Sequence, residues 1–171
     1  MKHTFGACAF ALLTSMAVQA RHSITHFEIN THCPLQTMDG FGASDAWSIQ
    51  HIGLWPDSVR RQAADWLFST RCDRKGRPLG IGLSIWRFNI GAGSREQGKE
   101  SGIGSHWMRT ECFLRPDGSY DMTRQAGQRN FMRMARERGV KTFIGFFNSP
   151  PVYFTRNGLA TNTGRGGTLN L

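Results

Sequence analysis

The sequence predicts a parallel α/β fold, and three observations carry that prediction. Strand-like and helix-like segments alternate along the chain after residue 20. The two strongest strand segments, residues 80–91 and 140–147, are apolar on both faces, as strands inside a parallel sheet are. Polar residues collect where the strand segments end, which is where parallel α/β folds place their functional groups.

Residues 1–20 stand apart from the rest. Lys2 is their only fixed charge, residues 5–18 are mostly apolar or small, and Val18-Gln19-Ala20 offers small residues at a cleavage point. That is the pattern of a cleavable secretory signal, cut after Ala20. The apolar run is shorter than the ~20 residues that span a bilayer, and Cys8 has no apolar lipobox before it. The expectation is a secreted or periplasmic protein with no membrane attachment once the signal is removed.

Residues 23–30 alternate weakly through Ile24, Phe27 and Ile29 and read as a short strand. Residues 36–48 form a glycine-punctuated stretch with Phe41 between Gly40 and Gly42. A helix is predicted over 56–69, with Pro56 in its first turn and Val59, Ala63, Trp66 and Leu67 as its apolar stripe. After a polar turn at 71–78 comes the strand at 80–91, led by Ile81, Leu83, Ile85, Trp86, Phe88 and Ile90. Residues 91–120 are a long loop rich in glycine and charge, of a length that usually marks a functional segment or an insertion. A second helix is predicted over 123–138, capped by Asp121 or Thr123 and ended by Gly139. The strand at 140–147 then runs into Asn148-Ser149-Pro150-Pro151, which breaks it. The Gly/Thr/Asn-rich tail from Thr161 to Leu171 adds no closing element. Three strands and two helices cannot cover both faces of a sheet. Residues 21–171 are therefore expected to be one incomplete domain.

The formal net charge is +9, falling to +8 when Lys2 leaves with the signal, and the pI is near 10.3. The arginines are scattered and no groove-reading motif accompanies them, so nucleic-acid binding is not expected. Binding of acidic polymers by a basic protein stays open as an alternative. Cys33, Cys72 and Cys112 remain after residue 20; their spacings fit no zinc pattern, and an odd number leaves at least one thiol unpaired within the chain.

Three strand ends carry candidate binding residues. In the first, Asp45 and Trp47 follow Gly42-Ala43-Ser44. In the second, Leu83, Ile85, Arg87 and Asn89 share one face by the two-residue period of a strand, and in the third Ile144, Phe146 and Asn148 do the same. If the apolar members face the sheet interior, Asp45, Arg87, Asn89 and Asn148 emerge on one rim. A charged Arg87 there needs a partner, either a carboxylate such as Asp45 or a ligand. Trp47, Trp86, Tyr153 and Phe154 are candidates to stack on sugar rings, with core packing the alternative for each.

These motifs carry a resemblance. Gly40-Phe41-Gly42-Ala43-Ser44-Asp45-Ala46-Trp47-Ser48 resembles the first barrel strand of glycoside hydrolase family 30. Residues 82–94, from Gly82-Leu83-Ser84 to Ala92-Gly93-Ser94, look like its second strand, and Asn148-Ser149-Pro150-Pro151-Val152-Tyr153-Phe154-Thr155-Arg156-Asn157-Gly158 is similar to its third strand end. The similarity is greatest to the endo-β-1,6-galactanase-like branch. The resemblance implies a (β/α)8 TIM barrel with a side β-sandwich begun by the leading strand, of which the first three barrel strands are here. It implies retaining hydrolysis of a polysaccharide or oligosaccharide without cofactor or metal, using two carboxyl groups about 5–5.5 Å apart.

By resemblance those carboxyls are glutamates ending the fourth and eighth strands, the first in an Asn-Glu-Pro context. No Asn-Glu-Pro occurs, and Glu28, Glu96, Glu100, Glu111 and Glu137 match neither position. Both family carboxylates would therefore lie beyond Leu171, so no catalytic residue is assigned and the domain is expected to stop before the fourth strand. Arg87 and Asn148 match positions lining the subsite of the cleaved sugar, with Asp45, Trp47, Asn89 and Tyr153 as further substrate-binding candidates. Ser94 stands where the glucosylceramidase-like branch has Asp, and Tyr153 where many relatives have Trp. The chain alone is expected to be inactive; a non-catalytic glycan-binding remnant is the alternative.

Overall fold

The computed structural model describes residues 25–33 and 35–161. The secretory segment predicted at 1–20 lies outside the described residues, as does the tail after Thr161 up to Leu171, which the sequence reads as adding no closing element. The chain divides into two units, residues 1–37 and 38–171.

In the first unit, the strand predicted at 23–30 is not formed over its described part. Phe27 and Ile29 are exposed. The local hydrogen bonds instead make a turn, with Cys33 N–H donating to the Asn30 carbonyl at 3.4 Å and His32 N–H to Asn30 Oδ1 at 3.0 Å. Alternation supplies a face, but a strand also needs a neighbouring backbone to pair with, and this unit offers none among its described residues. Among the described residues no strand of a side β-sandwich is formed.

The second unit has the predicted alternation. Its parallel sheet has the order β1 (Gly42–Ser44), β2 (Ile85–Ile90), β3 (Thr142–Phe147). Ala43 pairs with Trp86, and Trp86 with Phe143, so every second residue of each strand faces the same side. Between β1 and β2 lie the short helix α1 (Ile49–Ile52) and the helix α2 (Asp57–Phe68). Between β2 and β3 lie α3 (Ser94–Gln97), two short 3-10 turns, and the helix α4 (Ala126–Glu137). The long loop thus contains local structure of its own, including an antiparallel bridge between Leu114 and Tyr120.

The core lies between one face of the sheet and the helices. Phe68 from α2, Trp86 from β2 and Phe131 from α4 form its centre, with ring centroids 5.0–5.7 Å apart, and Ile49, Ala64, Met134, Ala135 and Val140 complete it. Trp86 is therefore a core residue and not a rim aromatic: it neighbours Arg87 in the strand and so points to the opposite face. The stripe of α2 also differs from the prediction. Ala64 and Phe68 are buried and Ala63 and Leu67 partly so, while Val59 and Trp66 are exposed. Residues 80–84 precede the strand proper and are clipped to the end of α2, with Ile81 N–H on the Trp66 carbonyl and Leu83 N–H on that of Leu67.

Helix α4 starts later than the sequence suggests, after Gln125 in the left-handed region (φ 51°). Asp121 caps the preceding turn instead, accepting from Thr123 N–H and Oγ1 and pairing with Arg115 and Arg124. Gly139 ends the helix as predicted, at φ 96°. Cys33, Cys72 and Cys112 are free thiols, the last buried. Among the described residues no helix is long and apolar enough to cross a membrane.

Helices α1 and α4 meet through two glycines. A Cβ on Gly53 would run into the Gly127 backbone, and one on Gly127 into the Gln50 carbonyl. Backbone cannot yield as a flexible side chain does, so Gly127→Ala must push the helices apart. The expected loss is about 1–3 kcal/mol, the usual size of overpacking, read from the urea midpoint. An unchanged midpoint would show that the two helices can separate freely.

Candidate functional site

The rim at the carboxyl ends of β2 and β3 is built as a chain of hydrogen bonds. Asn89 is its pivot. Its N–H donates to Asp45 Oδ1 at 2.7 Å, and its Oδ1 accepts from Asn148 Nδ2 at 2.6 Å. Asn148 Oδ1 in turn accepts from Arg87 Nη2 at 3.1 Å. The Arg87 guanidinium lies 3.8 Å from the centre of the Phe146 ring, a cation–π contact that holds it flat against β3. Of the four residues expected on one rim, Arg87, Asn89 and Asn148 are joined by these hydrogen bonds, while Asp45 lies below them. Arg87 finds its partners in an amide and a ring, and it makes no ion pair with Asp45.

Asp45 sits beneath this surface. It is only 1% exposed, with Oδ2 accepting from Gln128 Nε2 at 3.3 Å. Burial pushes its carboxyl up to about 6; the Asn89 N–H, Gln128 and the Arg87 charge pull the other way and lose. Its place is structural support of Asn89 from the helix side.

Helix α4 and the residue before it supply two further groups. Gln125 and Gln128 both donate through Nε2 to the Asn89 carbonyl, at 2.9 and 3.0 Å, and Gln125 Nε2 also donates to Gln128 Oε1 at 2.6 Å. Gln125 Oε1 accepts from Gly91 N–H, and its own N–H donates to Glu111 Oε2. The end of β2 is thus clamped from behind by buried amides. Sequence reasoning missed both glutamines; the signal available was two polar residues three apart on what is otherwise the buried side of an amphipathic helix.

Beside the rim lies a cavity of about 260 Å³ lined by Trp47, Asn89, Asn148, Ile103, Met108 and Thr110 among others. Trp47 is 38% exposed and borders it. Tyr153 is not brought to this cavity. It is half-exposed in the 3-10 turn Val152–Phe154, near Glu96, Cys112 and Arg124, and burial raises its hydroxyl above the usual range. Phe154 lines a different depression, against Phe88 and Phe147.

The carboxylates close to the rim are all engaged. Asp45 serves Asn89; Glu96 accepts from Cys112 N–H and pairs with Arg124 at 3.0 Å; Glu111 serves Gln125. Among the described residues no group of three or more His, Cys, Asp or Glu is placed to hold a metal ion. What the rim presents is amide and guanidinium donors beside an aromatic ring.

Comparison with known proteins bears on this arrangement. The model of O-glycosyl hydrolase family 30 matches residues 24–171. Of the solved structures, a conserved exported protein from Bacteroides fragilis is 47% identical, with a TM-score of 0.74 over 79% of this chain and 28% of that one. The catalytic domain of the family's xylanase C from Talaromyces cellulolyticus is 30% identical, with a TM-score of 0.50 over 78% of this chain and 27% of that one. The chain thus spans less than a third of the length of either structure.

Proposed function

The chain belongs to O-glycosyl hydrolase family 30, and from that premise we propose that it is the N-terminal portion of a secreted retaining β-glycosidase of the endo-β-1,6-galactanase-like branch, contributing substrate-binding residues to a polysaccharide cleft. The observation that carries this reading is the rim of Arg87, Asn89 and Asn148 beside Trp47. Sugars combine an apolar C–H face with a ring of hydroxyls. Trp47 suits the face. The Arg87 guanidinium, whose Nη1 makes no hydrogen bond among the described residues, suits hydroxyl oxygens, with Asn89 and Asn148 holding it in place. Export is supported by the composition of residues 1–20 and by the exported Bacteroides fragilis relative.

A second reading concerns this polypeptide by itself: glycan binding without cleavage. It is favoured by the carboxylates, which are committed to structural hydrogen bonds, whereas retaining chemistry needs two of them about 5–5.5 Å apart across the scissile bond.

One experiment addresses both. The purified 171-residue chain is expected to bind β-1,6-galacto-oligosaccharides saturably in calorimetry, and to lose about tenfold or more in affinity on Arg87→Ala. No reducing sugar should be released from β-1,6-galactan. Release of sugar would overturn the inactive reading, and binding indifferent to Arg87→Ala would remove the rim from it.

A further inference from the structure

The cavity beside the rim is walled by the ends of all three strands. Trp47 follows β1, Ile90 ends β2 with Ala92 just beyond it, and Ala160 and Thr161 come from the segment after β3. Strand β2 is central in the sheet, so both of its neighbours are present and these walls belong to the chain itself.

The remaining wall is the loop after β2. Gly93, in the left-handed region at φ 104°, turns the chain out of the strand and into α3. The loop then folds back on that turn. Arg95 N–H donates to the Thr110 carbonyl at 3.0 Å, and Thr110 N–H to Ser94 Oγ at 2.9 Å. Arg109 donates through Nε and Nη2 to the Ile103 carbonyl at 2.9 and 2.8 Å, which fixes Ile103 against the cavity. Gln50 Nε2 donates to the Trp107 carbonyl at 2.7 Å and so pins the 3-10 turn His106–Met108, which carries Met108. On the far side Thr161 Oγ1 donates to the Ser101 carbonyl at 3.0 Å. Ties of this kind between loops fix the cavity's shape before anything enters it.

The lining is selective in kind. The chain's formal net charge is +9, yet no Lys, Arg, His, Asp or Glu among the described residues lines this cavity. Its apolar walls are Trp47, Ile90, Ala92, Ile103, Met108 and Ala160. Polar side chains around it are tied to the protein: Asn148 to Asn89 and Arg87, and Ser149 Oγ to the Pro150 carbonyl at 3.2 Å. Its volume of about 260 Å³ lies below the range of about 300–1,000 Å³ that holds drug-sized ligands, and suits a single sugar unit. A carboxylate entering it would give up water and meet no opposite charge. A hydroxyl would give up water for few partners, whereas a methyl group gains by leaving water.

Resting on the sugar-binding reading of the rim, we propose that this cavity is a specificity pocket for a neutral 6-deoxyhexose unit next to the sugar held by Arg87 and Asn148. Ile103 and Met108 are its specificity-determining residues, receiving the methyl group at C6. The C6 position is where sugars of one ring size differ most in polarity, carrying a methyl, a hydroxymethyl or a carboxylate group. Continuity with the rim comes through Asn89 and Asn148, which border both.

The probes are three disaccharides, each with a terminal unit joined β-1,6 to galactose. That unit is 6-deoxygalactose, galactose or galacturonate, so the ligands differ only at C6. Each is titrated into the full chain by calorimetry in about 0.15 M salt, which screens the general attraction of a basic protein for anions beyond about 8 Å. The 6-deoxy ligand is expected to bind about tenfold tighter than the galactose one and about a hundredfold tighter than the galacturonate one. Met108 is 46% exposed, so a polar replacement fits without disturbing the core. Met108→Lys should reverse the order in favour of galacturonate, and that gain also shows the variant to be folded, while Met108→Leu should keep the wild-type order. Galacturonate binding to the wild-type chain as tightly as the 6-deoxy ligand would overturn the proposal, as would an order unmoved by Met108→Lys. Equal binding of all three ligands, lost on Arg87→Ala, would sink the pocket and leave the rim standing. Binding of none of them would remove both.

Discussion

Phe131→Ala is expected to remove about 3–5 kcal/mol of stability, enough to unfold much of the second unit at ambient temperature. Phe131 is fully buried, and its ring lies 5.6 Å from that of Phe68 and 5.7 Å from that of Trp86. It therefore joins α2, β2 and α4 at one point. Truncation loses the transfer free energy of the ring and leaves a cavity that three separate elements would have to close together. A domain of this size has about 5–15 kcal/mol in total. Here the sheet face bearing Ile144 and Phe146 is half-open, so little reserve stands behind the core. Urea unfolding followed by far-ultraviolet circular dichroism measures the loss, with Trp66→Ala as control. Trp66 is 61% exposed on α2, and its truncation should cost within about 0.5 kcal/mol. If the two substitutions cost the same, the core has been placed on the wrong side of α2.

That control touches a place where the sequence misled. Val59, Ala63, Trp66 and Leu67 match a helical stripe, yet the buried residues are Ala64 and Phe68. Both sets satisfy the 3.6-residue period, and apolar residues are common on surfaces, so the period alone does not choose the face. The choice is made by Trp86 and Phe131, which belong to other elements distant in sequence. The strand predicted at 23–30 is not formed over residues 25–30 for the same nonlocal reason: pairing partners are not written in a local pattern. The start of α4 moved because Asp121 bonds its own turn, a local competition between side chain and backbone. By contrast β2 and β3 were legible, because continuous apolar runs bounded by glycine or proline have few other uses.

The rim was legible through the two-residue period of a strand. Arg87 and Asn89 must share a face whatever the tertiary fold, and Asn148 joins them once β2 and β3 are parallel and in register. What period could not show is depth. Asp45 and Asn89 are almost wholly buried, Tyr153 is turned toward Glu96 and Arg124, and the Gln125–Gln128 clamp arrives from a segment that begins 36 residues beyond Asn89. Such support is visible only when the backbone carbonyl it satisfies is known.

Asp45 makes the second large effect, and its sign is unusual for a carboxylate. Its pKa is pushed up to about 6 by burial, against 3.8 in a free chain. Below about pH 4 the proton is held in both folded and unfolded states, and Asp45 contributes no penalty. As pH rises from about 4 to about 6, the unfolded chain releases its proton while the folded one keeps it, so stability falls. Above about 6 the full penalty is in place, of order 3 kcal/mol for a shift of this size. Asp57, Asp73, Asp117 and Asp121 have pKa values lowered by hydrogen bonds and arginine partners. They act in the opposite sense, withdrawing stability as pH falls through their own lowered values, so the raw profile mixes both. Asp45→Asn separates them. The amide keeps an oxygen for Asn89 N–H and cannot ionise, so the difference in urea midpoint between variant and wild type should grow between about pH 4 and about pH 7 in the variant's favour. Parallel profiles over that range would mean that Asp45 is solvated in the folded protein. Because Asn89 needs only an acceptor oxygen, protonation of Asp45 leaves the rim in place. Sugar binding through Arg87 and Asn148 should therefore stay constant across the window in which stability changes.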